Sequence, residues 1–426
     1  MTVNEEVSNT ARKAGLKSAG AVTPVRKAVT ISQLKNNPIS RTPTGISEFD
    51  RVVGGGLVDA EVILFAAFPG SGKSTLSLDI ANQYAISGKT VLYSSGEESE
   101  QQIGLRAKRM KVTSDNIHIV SETNLETLLG HINELNPELV IVDSLQTIAS
   151  SEIPGSIGSL QQSKEAAHTL TRIAKQQNIT MILISQVIKN GDFSGSESIQ
   201  HIVDCALMLE SDKNTPLKFL RASKNRFGDT NEVGVFQHSE TKLEEIIDPS
   251  GIFTENSDET VIGSSCSFIS EGVRQIPVEI QALVTPSTLP QPRKQFNGVN
   301  HQRAQIVCAI LDKFCRAKLY ENDVFVSTVS GVKVIDPQAD LSIAASILSS
   351  SRDSSIPSTS AFIGELSLTG QVRGAFMIEN KVAEAVRLGF TKIIIPKSAK
   401  VNDSKFKNIE IVRISTVKDL PALIKS

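Results

Sequence analysis

Between residues 41 and 235, short runs rich in Val, Ile and Leu alternate with longer segments whose apolar residues recur every three or four positions. The runs EVILFAA (61–67), TVLYSS (90–95), NIHIV (116–120), ELVIVD (138–143), ITMILIS (179–185) and IVDCALMLE (202–210) are mostly apolar throughout. Strands of a parallel sheet have this character when helices cover both faces. Segments 73–87 and 158–177 have helical length and spacing, so the alternation predicts an α/β domain over 41–285 with a mainly parallel central sheet. The stretch TPSTLPQPRKQFNG (285–298) is dense in Pro, Ser, Thr and Gly and reads as a linker or domain edge at 286–300. Beyond 300, helical spacing returns at 300–317, 338–350 and 377–389, with strand patterns at 323–329, 361–366 and 392–395. A second, α+β domain is therefore expected over 301–426, and the serine-rich continuation of its middle helix reads as a loop.

The length of 426 residues agrees with two or three domains of roughly 150 residues each. Lys and Arg total 44 against 46 Asp and Glu, a formal charge of -2. That balance excludes a wholly basic nucleic-acid coat but allows a local basic channel. Residues 1–40 differ: Arg12, Lys13, Lys17, Arg26, Lys27 and Lys35 oppose only Glu5 and Glu6. This basic, flexible tail is either a solvated leader or an arm that touches a polyanion. No apolar stretch approaches the ~20 residues of a membrane helix, and the polar start MTVNEEVSNT is no secretory signal. A cytoplasmic chain without membrane contact is expected. Cys205, Cys266, Cys308 and Cys315 form no CxxC pair and read as buried thiols, so no zinc is expected. With no Trp and three Tyr, contact with nucleic acid should run through charge rather than base stacking.

The strongest chemical signal is FPGSGKST (68–75), between strand 61–67 and a helix. Gly70 and Gly72 let the backbone curl so that the N–H groups of Pro69–Thr75, apart from the imide of Pro69, point at phosphate oxygens. Pro69, Gly70, Ser71, Gly72, Lys73, Ser74 and Thr75 are thus nucleotide-binding candidates. Lys73 reaches the β- and γ-phosphates and Ser74 ligates Mg²⁺. Ala67 stands where the full pattern begins with Gly; it is strained if that position needs positive φ and harmless if it merely ends the strand. Asp143, ending ELVIVD, can hold the metal's water shell opposite Ser74. In SGEESEQQ (95–102), Glu97 is the candidate for polarising the attacking water, with Glu98 as cap or helper. Gln186, ending the strand at 179–185, is a candidate γ-phosphate sensor. Lys224 and Arg226, in RASKNRFGDTNEVGVF (221–236), are two apart and share a strand face. They suit a polyanion, or the γ-phosphate of a neighbouring subunit. Loops 149–159 and 187–198, the latter containing Lys189, are candidate DNA contacts through backbone N–H groups.

TGISEFDRVVGGGL (44–57), the phosphate loop, SGEES (95–99), VDSLQT (142–147), KNRFG (224–228) and EGVRQIPVEIQALV (271–284) occur in this order. Together they resemble the bacterial RadA/Sms DNA-repair ATPases over roughly 40–426. The resemblance implies a RecA-like motor followed by a Lon-protease-like domain, assembled as a homo-hexameric ring. It implies an ATP- and Mg²⁺-dependent hydrolase working on single-stranded or branched DNA beside a RecA-type recombinase. It also implies a helicase that promotes branch migration in homologous recombination and the DNA-damage response. By position it makes Glu97 the catalytic acid, Asp143 the second metal carboxylate, and Lys224 and Arg226 part of the family's KNRFG element. The family usually begins with a four-cysteine zinc finger, which is not found here, and more often has His at the position of Gln186. Lys381 falls where the Lon fold keeps its catalytic lysine, but Gln338 matches the protease serine and Ser342 is out of register. An amide cannot serve as nucleophile, so peptidase activity is not expected. A RecA-like signalling ATPase that binds a protein partner is the alternative reading.

Overall fold

Ile63 and Phe65 pack on one side of a strand while Val62 and Leu64 pack on the other, as the twofold alternation of a strand requires. In the computed structural model, which describes residues 30, 40–186, 197–211, 216–248, 261–374 and 376–424, this strand lies inside the principal sheet. A short pair, β1 (Arg41–Thr42) and β2 (Leu57–Val58), precedes it. The sheet then uses β3 (Val62–Ala67), β4 (Val91–Ser95), β5 (Ile117–Ser121), β6 (Leu139–Asp143), β7 (Thr180–Gln186), β8 (Cys205–Ser211), β9 (Leu217–Asn225), β10 (Val233–His238) and β11 (Leu243–Glu245). Their order is β11-β10-β9-β8-β3-β7-β6-β4-β5. From β5 through β8 every pairing is parallel, and β9 to β11 extend the sheet antiparallel.

Helix Lys73–Ile86 covers one face, where Tyr84 meets Phe65, Tyr93 and Ile141 in one core. Helices Leu125–Leu135 and Leu160–Gln177 cover the other through Leu128, Ile132, Leu170 and Ala174. Asn124 and Ser159 cap their N-termini, and Asn136 and Asn178 end them in left-handed geometry. These are the residues that tolerate those positions at least cost.

The second sheet begins earlier than the sequence pattern predicts. After β12 (Val261–Ile262), strands β13 (Ser264–Glu271) and β14 (Arg274–Pro286) form its central hairpin. They are followed by β15 (Lys294–Asn297), β16 (Asn322–Thr328), β17 (Ser355–Ile356), β18 (Ser360–Phe362), the small pair β19 (Glu365–Leu366) and β20 (Val372–Arg373), β21 (Lys392–Pro396) and β22 (Glu410–Ile414). The sheet order is β15-β16-β14-β13-β18-β21-β22. Residues 264–285, expected in the first domain, therefore belong to this sheet, and residues 294–297 of the expected linker form its edge strand. Ile276, Val278 and Ile280 alternate into a core with Leu341, Ala344, Ala345 and Leu348 of helix Asp340–Ser351. A strand so strongly alternating pairs with the sheet whose core receives its apolar face.

That helix, expected over 338–350, lays its last serines against the hairpin. Ser346 donates to the Ile280 carbonyl at 2.7 Å, while Ser349 and Ser350 accept from the N–H groups of Gly263 and Val284 at 2.8 Å each. Small hydroxyls let the helix lie against the hairpin while pairing its free backbone groups. Among the described residues no helix is long and apolar enough to cross a membrane.

The β13–β14 turn fastens the two sheets together. Arg274 reaches the fully buried Glu48 at 2.6 Å, and Val273 N–H donates to the Asn231 carbonyl at 3.0 Å. Gly272 has φ +62, and a Cβ there would lie 2.0 Å from the Asn231 carbonyl oxygen. Gly272→Ala should therefore lower unfolding free energy by at least about 2 kcal/mol; an unchanged urea midpoint would show that the turn is not held against Asn231.

Candidate active site

Ala67 is the last residue of β3, in regular ladders with Gln186 and Leu209. Its φ is not positive, so an alanine carries no strain there. The chain then turns through exposed Pro69 and Gly70, with Gly70 at φ +76 and Gly72 at φ +101. Ser71 stabilises the turn by donating its hydroxyl to the Phe68 carbonyl at 2.7 Å. Helix Lys73–Ile86 opens with neither a side-chain cap nor an acidic residue in its first turn. Its leading N–H groups, including those of Ser74 and Thr75, are therefore left to an anion. Behind the turn stands His238, whose Cε1 lies 2.9 Å from where a Cβ on Gly72 would sit. No sequence motif pointed to this histidine, because it is brought there by the β10 hairpin.

Three strand ends converge beside the turn. Lys73 Nζ lies 3.5 Å from both Glu97 Oε2 and Asp143 Oδ1. Gln186 Nε2 donates to Glu97 Oε1 at 2.7 Å. Tyr93 donates its hydroxyl to Asp143 Oδ2 at 3.0 Å. Burial, reinforced by the Asp143 charge, pushes the Tyr93 phenol well above its ordinary value, which keeps it a donor. Burial tends to raise the Glu97 carboxyl, but the Ser144 side chain, the Lys73 charge and the Gln186 amide outweigh it and hold it below the usual range. Glu97 is thus an anion able to accept a proton or orient a water.

Glu98 points elsewhere, paired with Arg106 at 2.6 Å. Just ahead of the two adjacent glutamates, Gly96 N–H donates to the Asp143 carbonyl at 2.8 Å. A Cβ on Gly96 would sit 2.0 Å from Thr147 Oγ1, so glycine is needed to bring Glu97 against Asp143.

Lys73 Nζ and Asp143 Oδ1 are buried without a hydrogen-bond partner, 3.5 Å from each other. A phosphate chain and a hydrated cation have the donors and acceptors that such a cluster lacks. Ser74 and Asp143 are the oxygen donors suited to Mg²⁺, and Lys73 with the helix N-terminus suits the triphosphate of ATP. Tyr93, Ser144 and Gln146 were not singled out from sequence. The available signal was polar residues at and just beyond the ends of otherwise aliphatic strands.

Lys224 and Arg226 lie elsewhere. Lys224 Nζ donates to the carbonyls of Gln200, His201 and Val203 at 2.8, 3.3 and 2.7 Å. Arg226 Nη1 lies 3.4 Å from Asp204 Oδ1, and its side chain is 56% exposed. Asp204 binds the N–H of Val62, the first residue of β3, whereas the phosphate turn follows its last. The two cations are thus a strand length from their own phosphate turn, roughly 17 Å. Burial and the neighbouring Arg226 lower the Lys224 ammonium.

Beside the second sheet, Lys381 on the helix Ile378–Arg387 is fully buried. It donates to the Phe268 carbonyl at 2.7 Å and Asp336 Oδ2 at 3.1 Å. Gln338 Nε2 also donates to Asp336, at 3.2 Å. Ser342 is bound to Ser265 at 2.6 Å. Among the described residues no hydroxyl is hydrogen-bonded to Lys381.

Sequence comparisons bear on this geometry. An AAA domain family matches residues 28–192, and the family described as subunit ChlI of Mg-chelatase matches residues 298–399. The DNA repair protein RadA of Listeria monocytogenes is 39% identical over 391 residues, covering 92% of this chain and 86% of that protein. The chain belongs to the RadA family of DNA repair proteins. RadA of Mycolicibacterium smegmatis is 41% identical over 88% of this chain and 81% of its own. RadA of Streptococcus pneumoniae is 37% identical over 92% and 94% respectively. RadA membership makes the chain a DNA-repair ATPase with a RecA-like P-loop domain followed by a Lon-protease-like domain.

Proposed function

We propose that the chain is a DNA-dependent ATPase motor, working as a homo-hexameric ring that translocates on single-stranded DNA and processes branched recombination intermediates beside a RecA-type recombinase. The carrying observation is the convergence of Lys73, Glu97, Asp143 and Gln186 beside an uncapped helix N-terminus.

In this reading the N–H groups of the turn and Lys73 hold the β- and γ-phosphates of ATP. Mg²⁺, held by Ser74 and through water by Asp143, would neutralise charge developing on the phosphates. Glu97 orients the attacking water and accepts its proton, while Gln186 fixes the carboxylate. Lys224 and Arg226 cannot serve the phosphate turn of their own chain, which favours delivery to a neighbour's nucleotide in a head-to-tail ring. Arg226 is the readier of the two. Lys224 would have to exchange a carbonyl for phosphate, since three carbonyls already take its donors.

Movement reaches DNA through the segments that leave β6 and β7. The first, 149–159, is anchored at its base by Gln162, which donates to the carbonyls of Ser150 and Ile153 at 3.1 and 2.6 Å, and exposes Ile157. Most of the second, 187–196 with Lys189, lies outside the described residues, as do residues 1–29 and 31–39 of the basic tail. The cradle around Lys381, with an amide and a carboxylate in place of a hydroxyl, supports a scaffold or DNA-path role for the Lon-like domain rather than peptide hydrolysis.

The test is ATP hydrolysis with and without single-stranded DNA, together with DNA affinity across a salt series. Single-stranded DNA should raise turnover, and affinity should fall steeply with salt. Unchanged turnover with salt-independent binding would overturn the DNA-motor reading in favour of a protein-binding ATPase ring.

A further inference from the structure

Strand β7 outruns its neighbour at the active site. The parallel ladder between β6 and β7 ends at Val142 and Leu183, yet β7 continues to Gln186, paired on its other side with Ala67 of β3. The last residues of β7 therefore lack a strand on the β6 side, because the chain leaves Asp143 into the short turn Leu145–Thr147. A side chain takes the strand's place. Gln146 Nε2 donates to Ser185 Oγ at 2.7 Å and to the Gln186 carbonyl at 3.4 Å. A carbonyl can only accept, so the amide orientation is fixed. Ser185 is 2% exposed, while Gln146 is half-buried, so the contact sits at the boundary between core and site.

Gln186 in turn holds Glu97 at 2.7 Å. A side-chain amide anchored by its own backbone to a strand end has little freedom, whereas a fraying strand end would let it leave the carboxylate. The carbonyl oxygen of Gln146 also lies 3.6 Å from where a Cβ on Gly158 would stand. Gln146 is therefore placed between the return of the 149–159 segment and the residue that opens the segment after β7.

We propose that Gln146 is a positioning residue for ATP hydrolysis: it splints the end of β7 so that Gln186 keeps Glu97 aimed at the attacking water. The inference rests on the reading of Glu97 given above, and it assigns Gln146 no contact with ATP.

The experiment is a double-mutant cycle on the full chain, read by single-turnover hydrolysis and by KM for ATP. Gln146→Leu should lower the hydrolysis rate about tenfold, the scale of one lost positioning hydrogen bond, with KM changed less than about twofold. In a Gln186→Ala background the same substitution should add little, because the group it acts through is gone. Losses that multiply in the double variant, or a Gln146→Leu rate equal to that of the parent chain, would overturn the proposal. Ser185→Ala removes one partner without enlarging the turn and tests the same splint should Gln146→Leu fold poorly; its loss should likewise vanish in the Gln186→Ala background. Glu97→Gln separates the two claims. If it remains fully active, the Glu97 reading fails; if it is inactive while the cycle is multiplicative, only the splint fails.

Discussion

Lys73→Ala should reduce ATP turnover at least about a hundredfold, the scale seen when one charge-stabilising donor is removed from a phosphoryl-transfer or oxyanion site. The expectation follows from placement rather than motif alone. Lys73 lies at the helix N-terminus with its ammonium 3.5 Å from two carboxylates at or just past the ends of different strands. Removing it takes away the phosphate-facing cation and leaves Glu97 and Asp143 facing each other without the charge between them. Both KM and kcat should worsen, and the measurement is steady-state hydrolysis with a binding assay for ATP. Hydrolysis near that of the parent chain would remove the assignment of the phosphate turn.

The second large effect should appear only in mixtures. Glu97→Gln chains retain Arg226 but lose the carboxylate that orients water; Arg226→Ala chains retain the carboxylate but lose the cation offered to a neighbour. Each should be nearly inactive alone. Mixed in equal amounts and allowed to exchange, about a quarter of head-to-tail junctions combine an intact Glu97 with an intact Arg226. Activity well above either parent is the expected result. Mixed rings no more active than their parents would mean that Arg226 acts within its own chain or on DNA. The same mixing with Lys224→Ala tests whether Lys224 leaves its three carbonyls to join the junction.

Much of the first domain was legible because its signals agree. The six apolar runs from 61 to 210 became the six parallel strands; all but the partly exposed edge strand β5 are largely buried on both faces and so have little choice of partner. Gly70, Gly72, Lys73, Glu97 and Asp143 were readable because phosphate chemistry restricts residue type at fixed offsets. Boundaries and supporting residues were harder. The hairpin at 264–286 fell almost wholly within the expected bounds of the first domain, because alternation reports a buried face without saying whose core receives it. Ser346, Ser349 and Ser350 gave no sign of their packing because hydroxyls are read as polar; here they pair with backbone carbonyls and N–H groups at a neighbouring hairpin. Tyr93 carries no motif, and Gln146, although inside VDSLQT, gains meaning only when β4, β6 and β7 lie side by side. His238 comes from a hairpin more than 160 residues beyond the phosphate turn, a distance no local pattern spans.

The Arg274–Glu48 contact bears on how this protein can be divided. Glu48 lies in the short helix Ser47–Val53, is wholly enclosed, and also accepts from the Val235 N–H. Trimming the chain ahead of β13 would leave that enclosed carboxylate with Arg51 alone, 3.4 Å from its other oxygen, and losing one partner of a buried pair costs far more than losing a surface ion pair. Cut there, the ATPase half should be less stable than within the whole chain. Evolution of this chain by simple loss of its C-terminal half would have to begin by disarming Glu48.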